Sequence, residues 1–463
     1  MAQTPSTREV RETADERDRP ASVVPAPPRT HGAITSARTV FWLMLAINAA
    51  NYLDRFVAVA VGPTLKAEFH LTDHDIGVLT SAFLLVYTIA AIPLGLLADR
   101  FSRPRIVAAG VAVWSVASTV TAFVRGFGGL VATRAAVGIG EASYFPAGTA
   151  LLSGYYPREA RARVMSRWGT GQLIGVALAF ALGGLFSFTL GTTQGWRAAF
   201  LCAGLPGLVL ALVMWRVADV PHAGSAADSH GGAVAAALAK GLRPALAGMR
   251  AVLRIRTVWL VMVLQALMLI IITPSITFLT IYVRSSSGPF HLRAGEAALL
   301  IGIVVIVGGI SGQLLGGTLA DRLDRRFTGG RVLAAGIGFL VGLPFFVLML
   351  VSHALLPFAI FGTFAVLALT LPAGPLTAAA QDATPPEMRA TAVALIMLLS
   401  HVLGDVWSPT AVGSISTALH EHSGAALLIV GVPTLALGGI IGVWGAALYG
   451  RDLAARARQG GAS

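Results

Sequence analysis

Twelve apolar runs of 18 or more residues recur along this 463-residue chain. A run of that length crosses about 30 Å of hydrocarbon as a helix. In hydrocarbon a backbone without water must satisfy its own N–H and C=O groups, so such a run becomes a helix. The spans are expected near 39–62, 75–98, 106–124, 128–156, 164–189, 198–217, 257–283, 295–320, 332–352, 355–381, 391–416 and 425–449. Composition agrees. Hydrophobic residues make up 55% of the chain and charged residues 12%, against about a quarter charged in a soluble protein. The mean hydropathy is +0.75. The expected fold class is an all-α polytopic membrane protein.

A net charge of +12 raises the question of a nucleic-acid partner, and its distribution answers it. Tails and loops on one side hold 27 Lys and Arg, those on the other side hold 5, and Arg55 and Arg134 lie within spans. This is the positive-inside asymmetry, which places both termini in the cytoplasm. No nucleic-acid partner is implied. Cys202 is the single cysteine, so no intrachain disulfide and no cysteine metal site is expected, and no cofactor motif is present. Residues 1–37 are rich in Pro and Arg and lack the short apolar core of a signal peptide, so they read as a disordered tail. Arginine outnumbers lysine 32 to 2. With abundant Ala and Gly, that bias associates the chain with a high-GC bacterial genome, hence with a bacterial inner membrane. A monomer is the expected state.

The chain divides into a half at 38–217, a central loop at 218–256, a half at 257–450 and a tail at 451–463. The end of the loop could form a basic amphipathic helix. The halves repeat. "GLLADRFSRPR" from Gly95 matches "GTLADRLDRRF" from Gly317, 222 residues later. "FPAG" from Phe145 matches "LPAG" from Leu371, and "PREARA" from Pro157 matches "PPEMRA" from Pro385, at offsets of 226 and 228. Two pseudo-symmetric six-helix halves in parallel repeat are a transporter architecture, with the substrate site near midplane between them.

The pattern G-x-x-x-D-R-x-x-R, formed by Gly95, Asp99, Arg100 and Arg103, resembles the signature loop of the major facilitator superfamily. "NYLDR" at 51–55, "RAAVGIGEASY" at 134–144 and "RATAVALIMLLSHVLGDVWSP" at 389–409 narrow the resemblance to its spinster family. The likeness implies that spans one and four line the cavity. It also implies an amphiphilic substrate, since eukaryotic spinster proteins export lysophospholipids and sphingosine phosphate.

An ionisable residue inside a membrane is a functional candidate. The first half has four that sum to zero: Asp54, Arg55, Arg134 and Glu141. Arg134 and Glu141, seven apart, share one helix face. Asp54 lies roughly 24 Å up an outward helix and Arg134 roughly 10 Å below the outer edge of an inward one, at 1.5 Å per residue. The expectation is an Asp54–Arg134 pair, with Arg55 and Glu141 left to other partners or to substrate. A structural network is the alternative. A buried pair adds little stability, because desolvation offsets its Coulomb gain. A carboxylate whose ionisation depends on a movable arginine is instead a proton switch. At the repeat offset, Arg134 and Glu141 fall on Ile360 and Leu367. The expected cavity is therefore charged on the first half's wall and apolar on the tenth span. On span eleven, His401 and Asp405 are four apart and share a face. They read as a second protonation site or as a hydrogen bond between the halves.

The resemblance gives Gly95, Asp99, Arg100 and Arg103 a gating role, with Asp99 at the N-terminus of span eleven, where free N–H groups favour an anion. Asp321 and Arg322 repeat it in a looser loop. Gly171, Gly175, Ala179 and Gly183 form a smooth face on span five, for packing or for sliding. Pro146, Pro274, Pro372 and Pro375 are expected to loosen spans four, seven and ten. An ATP-driven pump is excluded, because neither lysine stands in a G-x-x-x-x-G-K-[ST] loop. "GISG" at 309–312 resembles a rhomboid protease motif, but small-residue strings in membrane helices serve packing, and no enzyme is expected. The reading is a secondary transporter working by alternating access, coupled to protons and carrying a lysolipid- or sphingolipid-like amphiphile. The alternative is a proton-linked transporter of small organic anions or drugs.

Overall fold

The computed structural model describes residues 34–98, 101–219, 248–284, 290–385 and 388–460. The first six spans are Ala37–Ala60, Asp73–Ala98, Arg103–Thr121, Phe127–Tyr155, Arg158–Thr189 and Gly191–Met214. The seventh to ninth are Arg256–Tyr282, Ala294–Asp324 and Gly330–Val351. The tenth has two pieces, Leu355–Thr370 and Ala373–Asp382, as does the eleventh, Arg389–Leu403 and Ser408–Ala418; the twelfth is Ser423–Gly460. Eleven of the twelve are long and apolar enough to cross a membrane. The exception is the fourth. Its 29 residues suffice in length, but Arg134, Glu141 and many Gly, Ser and Thr dilute its apolarity.

Three departures from a plain helical span matter for function. The first span ends at Ala60, and after Val61 the chain re-enters a short helix, Gly62–Glu68, with Pro63 in its first turn. Proline there is pre-set for the helix and gives up only an N–H that would be free anyway. The tenth span breaks at Pro372, as its missing N–H predicts. The eleventh breaks at Gly404, where no proline announces it. Gly404 adopts φ −104°, ψ −88°, and a Cβ there would stand 2.8 Å from the Ala266 carbonyl oxygen of the seventh span. Helices four and seven run unbroken through Pro146 and Pro274.

The small face of span five packs on span one. A Cβ on Gly175 would lie 2.3 Å from the Ala49 carbonyl oxygen, and one on Gly183 would lie 2.8 Å from Ala60 Cβ. Gly175→Leu is therefore expected to overpack this seam and destabilise the first half by about 1–3 kcal/mol or more. Thermal unfolding in detergent reads this, and an unchanged midpoint would show that the seam is loose.

Among the described residues, Arg103, Arg105, Arg216, Arg325 and Arg326 lie near span ends on one side of the bundle. Exposed Trp42, Trp215, Trp259 and Trp444 ring the spans near that end, where amphipathic indoles favour a membrane interface. Inter-half packing lies at the opposite end. There the start of span two meets Ser408–Ala418, and span five meets span eight. A Cβ on Gly77 would touch the Pro409 carbonyl oxygen at 2.3 Å, and one on Gly295 would lie 2.7 Å from the Gly184 oxygen. Among the described residues, every hydrogen bond that crosses between the halves is also at that end. They include Thr410 to Ser81 at 2.8 Å, Thr280 to the Val59 carbonyl at 3.3 Å and His74 N–H to Thr417 at 3.1 Å.

Candidate functional site

A cavity of about 260 Å³ lies between the halves. Successive residues on a helix point about 100° apart, so Asp54 and Arg55 leave the first span toward different neighbours. Arg55 turns to the cavity, which it lines. Its Nη2 and Nε donate to Glu141 Oε2 of the fourth span at 2.7 and 3.0 Å. Glu141 is fully buried behind it, while the Arg55 side chain keeps 23% exposure. Three rings surround the guanidinium, Tyr52, Phe83 and Tyr87, with centroids 5.4, 5.1 and 4.9 Å away. Arginine over aromatic faces gains cation–π attraction, and the pair is held as a unit in the wall.

Asp54 turns into the bundle and is fully buried. The expected direct pair with Arg134 is replaced by a relay through Ser118 of the third span. Ser118 donates to Asp54 Oδ1, and Arg134 Nη2 approaches the same hydroxyl at 3.2 Å. The physical reason is position: a small polar residue fits between the two longer chains, and the hydroxyl serves both. Arg134 also lies over the Phe200 ring at 5.1 Å and lines the cavity. Asp54 Oδ2 and Arg134 Nε have no hydrogen-bond partner, so this relay holds unused capacity in a dry place.

His401 and Asp405 do come together. His401 Nδ1 stands 2.9 and 3.0 Å from the two Asp405 oxygens, and Thr273 of span seven reaches Asp405 at 3.5 Å. Both line the cavity. The break after Leu403 lets Asp405 sit in non-helical chain at the end of the first piece. The apolar wall differs from expectation. The cavity takes Leu269, Ile272 and Ile276 from span seven, with Leu79 and Leu84 from span two, and no residue of span ten. Span ten is engaged elsewhere. A Cβ on Gly308 or Gly312 of span eight would strike its Thr363 or Leu367 carbonyl oxygen at 2.7 or 2.2 Å, and Phe364 stacks on Phe345 of span nine.

Of the gating motif, Gly95 and Arg103 are described, while Asp99 and Arg100 lie outside the described residues. The Arg103 N–H donates to Asp219 at 3.1 Å, which fastens the start of span three to the end of span six. In the second half, Asp321 and Arg322 are exposed. The ion pairs there belong to Arg331, which meets Asp324 at 3.5 Å and also Asp382. Sequence reasoning missed Ser118, Thr273 and the aromatic ring set. Tyr52 stood within a motif already singled out, whereas Ser118 and Thr273 carry no signal until the helices are packed.

The match to the Major Facilitator Superfamily family model covers residues 44–409. Protein spinster of Drosophila melanogaster is 28% identical over 406 residues, which is 87% of this chain and 65% of that protein. The chain thus spans less than two thirds of the fly protein. An MFS-type efflux pump of Mycolicibacterium smegmatis is 28% identical over 427 residues, covering 90% of this chain and 94% of the pump. In fold, the chain is similar to a crystal structure of a bacterial homolog to the human lysosomal transporter spinster, in an inward-facing and unoccupied conformation. The TM-score is 0.73 at 22% identity, over 90% of this chain and 97% of that one. With twelve spans in two halves around one central cavity, the chain belongs to the major facilitator superfamily and is a spinster-like, multi-pass membrane transporter.

Proposed function

We propose that this transporter moves an amphiphilic lysolipid- or sphingolipid-like substrate, coupled to protons, with the arginine-rich end in the cytoplasm of a bacterial inner membrane and the chain acting as a monomer. The carrying observation is the composition of one cavity. Arg55 and Arg134 face it from the first half, each backed by a buried carboxylate, and Leu269, Ile272 and Ile276 face it from the second, beside the His401–Asp405 pair. Charged groups suit a headgroup and the apolar wall suits a tail. Asp54, buried and reached by Arg134 through Ser118, is the proton carrier in this reading. If substrate draws Arg134 away, the carboxylate loses its nearest cation and takes a proton more readily. The likeness to an efflux pump that spans nearly the whole chain supports a second reading, export of an apolar drug through the same cavity.

The test is purified protein in liposomes, offered lysolipids, sugars, organic acids and hydrophobic drugs, with and without a pH gradient. Gradient-stimulated movement of lysolipids alone supports the proposal, and movement of drugs alone favours the second reading. Asp54→Asn is expected to abolish the stimulation while substrate exchange continues without a gradient. Stimulation that survives in Asp54→Asn would return Asp54 to a structural role.

A further inference from the structure

The opposite end of the cavity is closed by a feature that neither the motifs nor the charged constellation used. Gly62 and Leu65 of the short helix line the cavity. That helix follows the bend at Val61 and carries two charges. Glu68 stays within its own half, accepting from Arg197 at 3.3 Å and Thr193 at 3.0 Å. Lys66 crosses to the other half. Its Nζ donates to Asp73 at the start of span two and to Glu421, at 2.5 Å, in the turn between spans eleven and twelve. Glu421 also accepts the Asp73 N–H at 3.1 Å, and Ser416 donates to Asp73 at 2.5 Å.

The turn that presents Glu421 is strained. His420 and Glu421 hold φ of +58° and +65°, a region that side chains other than glycine enter at a cost. Such strain persists where the surroundings over-determine it, and here Lys66, Asp73 and Thr417 all engage Glu421. Burial alone would raise the Glu421 carboxyl, but the Lys66 hydrogen bond and charge outweigh it and hold the group below the usual carboxylate range.

We infer that the Gly62–Glu68 helix, carried by the first half, is the gate over this mouth of the cavity, and that Lys66 is its latch to the second half. Opening this end moves the halves apart and separates Lys66 from Glu421, while Lys66 and Asp73, both in the first half, stay together. The latch therefore stabilises the closed mouth and not the first half as such. Lys66 is a positioning residue: it touches no substrate and sets which side of the membrane the cavity faces. The inference rests on alternating access and not on the identity of the substrate.

The test reads access without transport. Thr80 of span two lines the cavity together with Leu65 of the short helix, so in a Cys202→Ser background Thr80→Cys places a thiol there. A membrane-impermeant maleimide is applied from the side of the opposite end. Labelling is expected to speed up by roughly five- to tenfold or more in Lys66→Met and in Glu421→Gln, the usual size of coupling between two conformational states. Lys66→Arg should keep the slow rate. The exchange Lys66→Glu with Glu421→Lys should restore it, because the cation, now carried by the turn, would face both Asp73 and the carboxylate moved to the short helix. Glu421→Gln lies in a turn outside the spans, so it keeps the test open if Lys66→Met folds poorly. Unchanged labelling in the single variants, or an exchange as fast as Lys66→Met, overturns the latch. Failure of lysolipid transport in the parent would overturn the proposed substrate and leave this result standing.

Discussion

Arg55→Leu is expected to abolish transport and to cost about 3–5 kcal/mol of stability, because it strands the Glu141 carboxylate in a dry wall. Glu141 is fully buried, and both of the Arg55 donors converge on its Oε2. Removing both partners has the opposite logic. A buried ion pair replaced by apolar side chains of similar size is often neutral or stabilising, since two desolvation penalties disappear together. Arg55→Leu with Glu141→Leu should therefore regain most of the lost stability. Transport should stay lost, because the cavity would no longer present the guanidinium held by three rings and open to substrate. Unfolding in detergent and flux in liposomes, measured on both single variants and the pair, separate the two roles. If the double variant transports, the pair only orders helices one and four.

How much of this was legible in the chain depends on the range of the interaction. The twelve spans were, because solvent transfer acts on each run separately and needs no knowledge of neighbours. The repeated halves were legible from matched loops. The four charges of the first half were legible as a cluster, because Arg134 and Glu141 share a helix face and ionisable groups are rare in hydrocarbon. Their pairing was not. Depth along two helices brings Asp54 near Arg134, but only the packed third span shows that Ser118 stands between them. The apolar wall was assigned to span ten through the repeat, and that step failed because the two halves do not present equivalent spans to the cavity. Span ten packs on spans eight and nine, and span seven, with Thr273 beside Asp405, takes the cavity. The break at Gly404 was silent for a similar reason: what excludes a side chain there is the Ala266 carbonyl of another helix. The latch at the opposite end joins Lys66 to Glu421, 355 residues apart, and no local pattern marks either one.

The reassigned wall makes the second large prediction. If the substrate has a tail, that tail lies against Leu269, Ile272 and Ile276, which line the cavity from span seven. Burying one methylene is worth about 0.8 kcal/mol, so binding to the parent should tighten by up to roughly fourfold per added methylene while the tail still fits. Ile276→Glu places a carboxylate among those contacts with no cation beside it on span seven. An unpaired polar group in an apolar site carries a penalty of several kcal/mol, and a tail pressed against it prevents water from relieving that penalty. The variant should therefore bind short-chain lysolipids nearly as well as the parent does, lose long-chain ones steeply, and flatten the slope with chain length. Ile276→Ala is the companion: it removes contact area without charge and should weaken all long chains modestly. Leu367→Glu on span ten should leave the slope unchanged. Competition binding across a series that differs only in chain length decides the matter. An equal loss at every length in Ile276→Glu would mean that no tail reaches this wall, and the cavity would then fit a small organic anion held by Arg55 and Arg134.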